Sequence, residues 1–347
     1  MSGGRGASPM PSGSSLPPVA LIHSPHAGSA GRADPVALLR GAGLEVIDAT
    51  PITKLSRLNP TRLVARWRKA GARAVIAAGG DGSVGAVATL ASQADMPLGI
   101  LPLGTSNDIA RALALPVVHA EAARLIAHCL ATGETREIDA GELAPAPGAP
   151  TSPSGLFLHA LALGLNVEFA RLATDPSQRQ RWGALTYAAS AVASLSHYTP
   201  IPVTLTVEGI EGQPEGATET ITASIAMLAA INLPVFGGRL ELRLPAVRED
   251  DRLLDFILIE ALSPPDLMRL SSVLDSLFTA RNGSARQAGA TNGGSQPGWR
   301  RFRARSVTIT TPEPVEITLD GELRGHTPAI ARVAARPVRV LARRATL

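Results

Sequence analysis

Residues 74–113 read AVIAAGGDGSVGAVATLASQADMPLGILPLGTSNDIARAL. Two short apolar runs, AVIAA (74–78) and LGILP (98–102), each lead into a glycine-containing turn, and each turn is followed by a segment with helical spacing of apolar residues. Short apolar runs bounded by turns are typical of strands that are buried on both faces. The repeated order of strand, turn and helix therefore predicts an α/β layer with parallel strands.

Further strand and helix signals precede this stretch. VALIH (19–23) and LEVIDA (44–49) have the composition of strands. Between LEVIDA and AVIAA, residues 59–70 predict a helix, because Asn59 suits the N-cap and Pro60 the first helical position. Parallel sheets bind ligands at the carboxyl ends of their strands, so a site is expected in the turns after AVIAA and LGILP.

The character of the sequence changes near residue 136. The segments that follow are strand-like and are separated by Pro and Gly, which predicts a mostly antiparallel β domain. We therefore expect an α/β plus all-β protein, with a disordered tail over 1–16, an α/β domain over 17–136 and a β domain over 137–326. Helical insertions in the β domain are expected near 183–195 and 264–281.

The composition is typical of a globular protein. Of 347 residues, 45% are hydrophobic, 18% are charged and 3% are aromatic, so the core must consist mainly of aliphatic side chains. The single cysteine, Cys129, allows no internal disulfide and suits a reducing compartment. The N-terminal stretch has no apolar run of signal-peptide length, and no run in the chain is long enough for a membrane span, so a cytoplasmic location is expected.

The basic residues are almost all arginine, since lysine occurs only at Lys54 and Lys69, and the formal net charge is +4. Arginine clusters at 179–181, 300–305 and 336–344 could attract anionic lipid headgroups. The alternative is a solvated strand face, which the middle cluster favours because its arginines alternate with apolar residues. No aromatic residues accompany the charge in a stacking pattern, so nucleic-acid binding is not expected.

The turn after AVIAA has the composition of a phosphate-binding loop. Glycine lets the backbone approach a phosphate closely, and the free N–H groups and dipole at a helix start favour an anion. The turn differs from the P-loop because no Gly-Lys-Ser or Gly-Lys-Thr follows it. The alternative is a tight turn in which Asp81 serves only as a helix cap.

GGDGS (79–83) and PLGTSNDIARAL (102–113), taken together, resemble the catalytic domain of the diacylglycerol kinase family, which also contains sphingosine, ceramide and YegS-like lipid kinases. The resemblance covers about residues 18–341 and extends to four later segments: ALGLNVEFA (162–170), WGALTYAASAV (182–192), FGGRLELRLPAVREDDRLLDFILIE (236–260) and LDGELR (319–324). It implies an N-terminal α/β nucleotide-binding domain and a C-terminal antiparallel β-sandwich domain, with ATP in the crevice between them. The C-terminal segment 327–347 is then expected to return to the first domain.

The resemblance implies a lipid kinase that transfers the terminal phosphate of ATP to a diacylglycerol-like hydroxyl with the help of Mg²⁺. The residues implied in binding the nucleotide are Gly79, Gly80, Asp81, Gly82, Ser83, Thr105, Asn107 and Thr53. Asp81 is also implied in catalysis, with a reach to Mg²⁺ through water. Near the first glycine turn, two positions depart from the family pattern: Ser83 replaces the usual threonine, and Gly85 stands where asparagine is common.

Glu322, in the segment Asp320-Gly321-Glu322, corresponds to the family's general base. Such a base takes the proton from the lipid hydroxyl as the oxygen attacks phosphorus. From the residues alone, Asp-Gly favours a two-residue hairpin turn, so the flanking segments could form a surface hairpin. The two interpretations are compatible, because catalytic residues are often placed at loop ends.

REDDRL (248–253) matches the stretch where the family holds a structural Mg²⁺. The resemblance implies the Asp251 side chain and the carbonyls of Arg248 and Leu253 as ligands. Arg252 occupies the usual glycine position and brings a cation to the site. The alternative is an ordinary charged turn.

The resemblance further implies a lipid substrate at a membrane surface, reached by peripheral contact, and a homodimer, since members of the family are often dimers. Two other interpretations of the chain stay open. NAD kinases and phosphofructokinases share the Gly-Gly-Asp-Gly turn and act on soluble acceptors. A catalytically inactive nucleotide-binding regulator on the same fold is the third.

Overall fold

The computed structural model describes residues 16–25, 33–148, 155–164, 199–236, 241–261 and 299–343. Residues 1–15 of the expected tail lie outside this part of the chain, and so do both expected helical insertions.

A six-stranded sheet forms the first domain, in the order β2-β1-β3-β4-β18-β5. Its strands are β1 (Val19–His23), β2 (Val46–Pro51), β3 (Ala74–Gly79), β4 (Leu98–Pro102), β5 (Arg136–Ile138) and β18 (Val338–Val340). All pairings are parallel except that of β5 with β18. Because β3 and β4 are buried along their whole length, the sheet is covered on both faces, as the continuous apolar runs predicted.

Helices cover both faces of this sheet. They are α1 (Pro35–Gly41), α2 (Pro60–Lys69), α3 (Asp81–Ala94), α4 (Asp108–Ala112) and α5 (His119–Thr132), with a 3-10 helix at Ile52–Arg57. The start of α2 follows the prediction, since Asn59 Oδ1 accepts a hydrogen bond from Arg62 N at 3.0 Å. Cys129 is fully buried in α5, and burial raises the pKa of its thiol to about 11.

In the part of the second domain that the structure describes, ten strands form an antiparallel sheet. Its strands are β6 (Gly141–Pro145), β7 (Gly155–Phe157), β8 (Ala160–Gly164), β9 (Ile201–Ile210), β10 (Thr218–Ile231), β13 (Leu254–Glu260), β14 (Trp299–Thr310), β15 (Glu316–Leu319), β16 (Glu322–His326) and β17 (Ala329–Val333). The long strands β10 and β14 each pair with β13 over one half and with β9 over the other. The sheet therefore folds over an apolar core that includes Leu205, Phe256 and Ile309. A separate two-stranded ribbon pairs β11 (Val235–Phe236) with β12 (Leu242–Arg243).

Within the described residues, the chain passes between the two domains twice, first between β5 and β6 and then between β17 and β18. The segment 327–347 does not return to the first domain as a whole, which corrects the expectation. β17 pairs with β14 and β6 in the second sheet, where Ala329 and Ala331 are fully buried in its core. Of the part of this segment that the structure describes, residues 327–343, only β18 joins the first sheet, beside β4.

Candidate functional site

The turns after β3 and β4 are in direct contact. A Cβ placed on Gly104 would lie 2.5 Å from the Cα of Gly80, so a side chain at Gly104 would separate the two turns. The backbone also joins them, since Leu103 N donates to Gly79 O at 2.9 Å. Thr105 follows Gly104 and is exposed. The structure thus brings together the two glycine turns that the sequence predicted to form one site.

Asp81 connects the starts of two helices. Its Oδ1 accepts from Ile109 N at 2.9 Å and its Oδ2 accepts from Asp108 N at 3.1 Å. Asp81 is therefore a helix cap, as one interpretation of the sequence had it, but it caps α4 rather than its own helix α3. Each oxygen keeps lone-pair capacity for a further donor or a water.

Asn107 closes the second turn on itself. Its Oδ1 accepts from Gly104 N at 2.9 Å and its Nδ2 donates to Gly104 O at 3.0 Å. Its backbone is left-handed, with φ of 53°, a conformation that asparagine adopts more readily than most residues. Both turns are therefore held by side chains before any ligand binds.

Ser83 lies under the first turn. Its Oγ would be 2.7 Å from a Cβ on Gly79, so the hydroxyl packs against the end of β3, and the residue is buried. Ser83 N and Val84 N both donate to Gly80 O at 3.0 Å. These bonds give the turn its shape at the start of α3.

A hairpin of the second domain reaches this turn. Strands β15 and β16 are joined by Asp320 and Gly321, whose φ values of 49° and 85° are those of the two-residue hairpin turn that Asp-Gly predicts. The first residue after the turn is Glu322. A Cβ on Gly82 would lie 2.5 Å from Glu322 Oε1, so the carboxylate rests on the phosphate-loop candidate.

The Glu322 carboxylate remains accessible from solvent. Its side chain is 46% exposed, and Oε2 accepts from Arg324 Nη2 at 2.5 Å. The carboxylate can therefore meet a substrate that enters between the domains. The hairpin and general-base interpretations are compatible in the structure, because the carboxylate projects from the end of the hairpin onto α3.

Asp320 anchors the hairpin and was missed by the sequence interpretation, which treated it as a turn residue. Its Oδ1 accepts from His159 N at 2.8 Å and Ala160 N at 3.0 Å, and its Oδ2 accepts from Leu158 N at 3.0 Å. Burial raises the pKa of Asp320 to about 6, although His159 and these three N–H groups favour the charged form.

Gly85 makes room for this anchor. A Cβ on Gly85 would overlap Asp320 Oδ2, so any side chain there would push the aspartate off α3. Glycine in place of the usual asparagine is thus explained by the close approach of the Asp320 carboxylate. That departure is the one signal in the sequence from which the contact could have been suspected.

A cavity of about 300 Å³ lies beside the Gly82–Glu322 contact. The side chains that form its wall are mainly apolar: Leu55, Leu58, Pro60, Leu63, Ala86, Leu90, Leu156 and Leu319. Its polar wall includes Asp320 and Arg324. Thr53, an expected nucleotide contact, is exposed on the same 3-10 helix as Leu55 but is not among the residues that line the cavity.

The expected structural metal site does not fit the side chains present. Asp251 Oδ2 forms an ion pair with Arg303, and its Oδ1 accepts from Leu253 N at 3.2 Å. Arg248 pairs with Asp250 at 3.2 Å. Within the residues that the structure describes, no group of three or more His, Cys, Asp or Glu side chains could hold a metal ion. The partner of Asp251 comes from a distant strand, β14, so the residues around 248–253 do not reveal it.

Comparisons with known proteins agree with this architecture. Residues 18–143 match the model of the diacylglycerol kinase catalytic domain, and residues 160–342 match that of the YegS C-terminal NAD kinase beta sandwich-like domain. A diacylglycerol kinase of Mycobacterium tuberculosis is 31% identical over 237 residues, which cover 68% of this chain and 69% of that protein. A probable YegS-like lipid kinase of Xanthomonas axonopodis pv. citri is 30% identical over 264 residues, 73% of each chain.

Solved structures show the same fold. A putative diacylglycerol kinase from Bacillus anthracis str. Sterne superposes with a TM-score of 0.64 at 20% identity, over 97% of this chain and 98% of that one. From its two domains and these relatives, the chain belongs to the diacylglycerol kinase family of lipid kinases. Its second domain is of the YegS type. Among the described residues, no helix combines the length and apolarity needed to cross a bilayer.

Proposed function

We propose that the chain is an ATP-dependent kinase that phosphorylates the hydroxyl of diacylglycerol or of a related lipid. The observation that carries this proposal is the position of Glu322 on Gly82, which sets a carboxylate beside two glycine turns in direct contact. Phosphoryl transfer depends chiefly on positioning the reactants and on stabilising charge, and this arrangement supplies both.

In this proposal, the triphosphate of ATP binds at the two glycine turns. Residues 79–83, together with Thr105 and Asn107, hold its terminal phosphates, and Thr53 contacts the rest of the nucleotide. Glu322 then accepts the proton of the lipid hydroxyl while that oxygen attacks the terminal phosphorus. Mg²⁺ bound with ATP would supply charge neutralisation, and the Asp81 carboxylate would hold it through water.

The acceptor is proposed from the relatives and from the cavity. Both relatives named above carry lipid-kinase names. The wall beside Glu322 is largely leucine, which suits a substrate with an apolar portion better than a sugar phosphate or a dinucleotide. This favours a lipid over the soluble acceptors of NAD kinases and phosphofructokinases. The reaction would take place where the protein contacts a membrane surface.

Labelled ATP tests the proposal. The protein is incubated with mixed micelles that contain diacylglycerol, ceramide, a sphingoid base or phosphatidylglycerol. Parallel reactions contain NAD or fructose 6-phosphate in buffer. The products are then separated by chromatography. We expect label in one lipid product and none in the soluble acceptors. Label in NAD or fructose 6-phosphate, or in no acceptor at all, would contradict the proposal.

A further inference from the structure

The two passages of the chain between the domains lie side by side. Asp139 and Ala140 form the first, between β5 and β6, and Ala334 begins the second, after β17. Ala334 N donates to Ala140 O at 2.8 Å. The Asp139 side chain is only 2% exposed, so a carboxylate is buried at the junction between the two sheets. A buried carboxylate needs a partner of opposite charge.

Arg252 is that partner, and it reaches both passages. Its backbone N and its Nη1 donate to the two oxygens of Asp139, at 2.6 and 2.9 Å. Its Nη2 donates to Ala334 O at 2.6 Å and lies 3.4 Å from Ala335 O. One guanidinium therefore binds the first passage through a carboxylate and the second through carbonyl oxygens. The rigid fork of arginine suits such a bridge better than the ammonium of lysine.

The backbone of Arg252 supports the same conclusion. Its φ is 62°, in the left-handed region that glycine adopts readily and other residues adopt at a cost. An arginine is held in this conformation only if its contacts outweigh the strain. The four hydrogen bonds to Asp139, Ala334 and Ala335 are contacts of that kind.

The buried carboxylates near Arg252 are each paired with a guanidinium group. Arg301 pairs with Asp255 at 2.6 Å, and Arg303 pairs with Asp251 and lies 3.5 Å from Asp255. Arg303 also pairs with the exposed Glu211 at 2.6 Å. Asp251 and Asp255 are largely buried, with side chains 14% and 2% exposed. A divalent cation at this place would meet arginines rather than free carboxylate oxygens.

We infer that Arg252 takes the place of a structural cation in this chain and clamps the two interdomain passages together. The clamp fixes the relation of the two sheets, on which the contact between Glu322 and Gly82 depends. The folded state then requires no divalent metal ion, and this holds whether or not a metal ion binds together with the nucleotide. This inference is independent of the proposed function, because its test measures unfolding rather than phosphate transfer.

The first arm of the test uses the wild-type chain without nucleotide. Thermal unfolding is recorded in EDTA and in millimolar Mg²⁺, and the metal content of the dialysed protein is measured. We expect the same Tm in both solutions and no stoichiometric metal. A Tm that falls in EDTA, or a tightly held metal ion, would overturn the inference.

The second arm uses variants of the clamp. Arg252→Gly relieves the left-handed backbone and removes the guanidinium, whereas Arg252→Lys keeps the charge without the fork. We expect Tm to fall by several degrees in the glycine variant and by less in the lysine variant. Arg248→Gln is the matched control, because Arg248 is exposed and pairs with Asp250 on the same loop, and its Tm should equal that of the wild type. An Arg252→Gly protein with the same Tm as the wild type would overturn the inference. If the glycine variant does not fold, the Tm of Arg252→Lys and the metal dependence measured in the first arm test the inference instead.

Discussion

Glu322 Oε1 lies where a side chain on Gly82 would have to stand, 2.5 Å from the position of its Cβ. This contact joins the tip of a hairpin in the second domain to the turn that starts α3 in the first. A carboxylate that acts as a general base must be within hydrogen-bonding reach of the substrate hydroxyl. The absence of a side chain at Gly82 is therefore a condition for the proposed chemistry.

Gly82→Ala should disturb this contact directly. The added methyl group would collide with the Glu322 carboxylate and displace it, and a displacement of about 1 Å at a reacting group can lower turnover by about 10²-fold. We expect kcat to fall by about that factor, with the far-UV circular dichroism unchanged. Gly41→Ala is the control, because a Cβ there meets nothing within 4 Å. Full activity of Gly82→Ala would show that the carboxylate need not lie at this turn.

Asp320→Asn tests the anchor of the hairpin. The amide keeps one acceptor oxygen but places an NH₂ group against backbone donors that now bond to a carboxylate, and an unpaired buried polar group costs about 1–3 kcal/mol. We expect a lower free energy of unfolding by about that amount and a reduced kcat, since Glu322 loses its fixed position. Urea denaturation and steady-state kinetics measure the two effects. If the free energy of unfolding of Asp320→Asn equals that of the wild type, the hydrogen bonds from the three N–H groups do not require a charged side chain at position 320.

The ionisation of Asp320 should also appear in the pH dependence of stability. Its pKa is raised from 3.8 to about 6 in the folded protein, mainly by burial. The folded state therefore holds the proton more tightly than the unfolded state. The stability gained from protonated Asp320 is present in full below pH 3.8 and is lost as the pH rises through about 6.

Urea denaturation of the wild type and of Asp320→Asn at a series of pH values isolates this contribution, because the other carboxyl groups titrate in both proteins. We expect the wild type to lose stability relative to the variant as the pH rises, by about 3 kcal/mol for a pKa shift of this size. If the difference in free energy of unfolding between the two proteins stays constant from pH 3.8 to above about 6, the pKa of Asp320 is not raised.

Asp81→Asn tests the link between the two turns. Only one amide oxygen remains to accept from Asp108 N and Ile109 N, so α4 should shift and the nucleotide site should lose its shape. We expect weaker ATP binding by calorimetry, a lower Tm and a turnover reduced by orders of magnitude. Asp95→Asn is the control, since Asp95 is an exposed residue that follows the last residue of α3, at the opposite end of that helix from Asp81. Equal ATP affinity in both variants would show that Asp81 does not contribute to nucleotide binding.

Local features of the fold could be predicted from the sequence. The Asn59 cap, the buried strands β3 and β4 and the Asp320-Gly321 turn each follow from a few adjacent residues with strong preferences. The meeting of the two glycine turns followed from the general geometry of parallel sheets.

Contacts between distant segments could not be predicted. The three N–H groups that donate to Asp320 belong to residues 158–160, where the chain turns from β7 into β8. No residue near Asp320 in the sequence predicts these contacts. The pairing of Asp251 with Arg303 likewise depends on the register of β13 against β14, which places Arg303 opposite Asp255. The resemblance to the family therefore suggested a metal site at residues 248–253 without revealing that Asp251 pairs with Arg303.

Phosphate transfer by Glu322→Gln tests the central claim most directly. The amide keeps the shape of the side chain but cannot take a proton, and general-base catalysis contributes about 10²–10⁴-fold to a rate. With labelled ATP and the preferred lipid in mixed micelles, kcat should fall by a factor in that range, while ATP affinity and Tm stay near those of the wild type. Glu313→Gln is the control, because Glu313 is an exposed residue shortly before β15, and this variant should remain fully active. A Glu322→Gln protein that transfers phosphate to lipid at the wild-type rate would contradict the account.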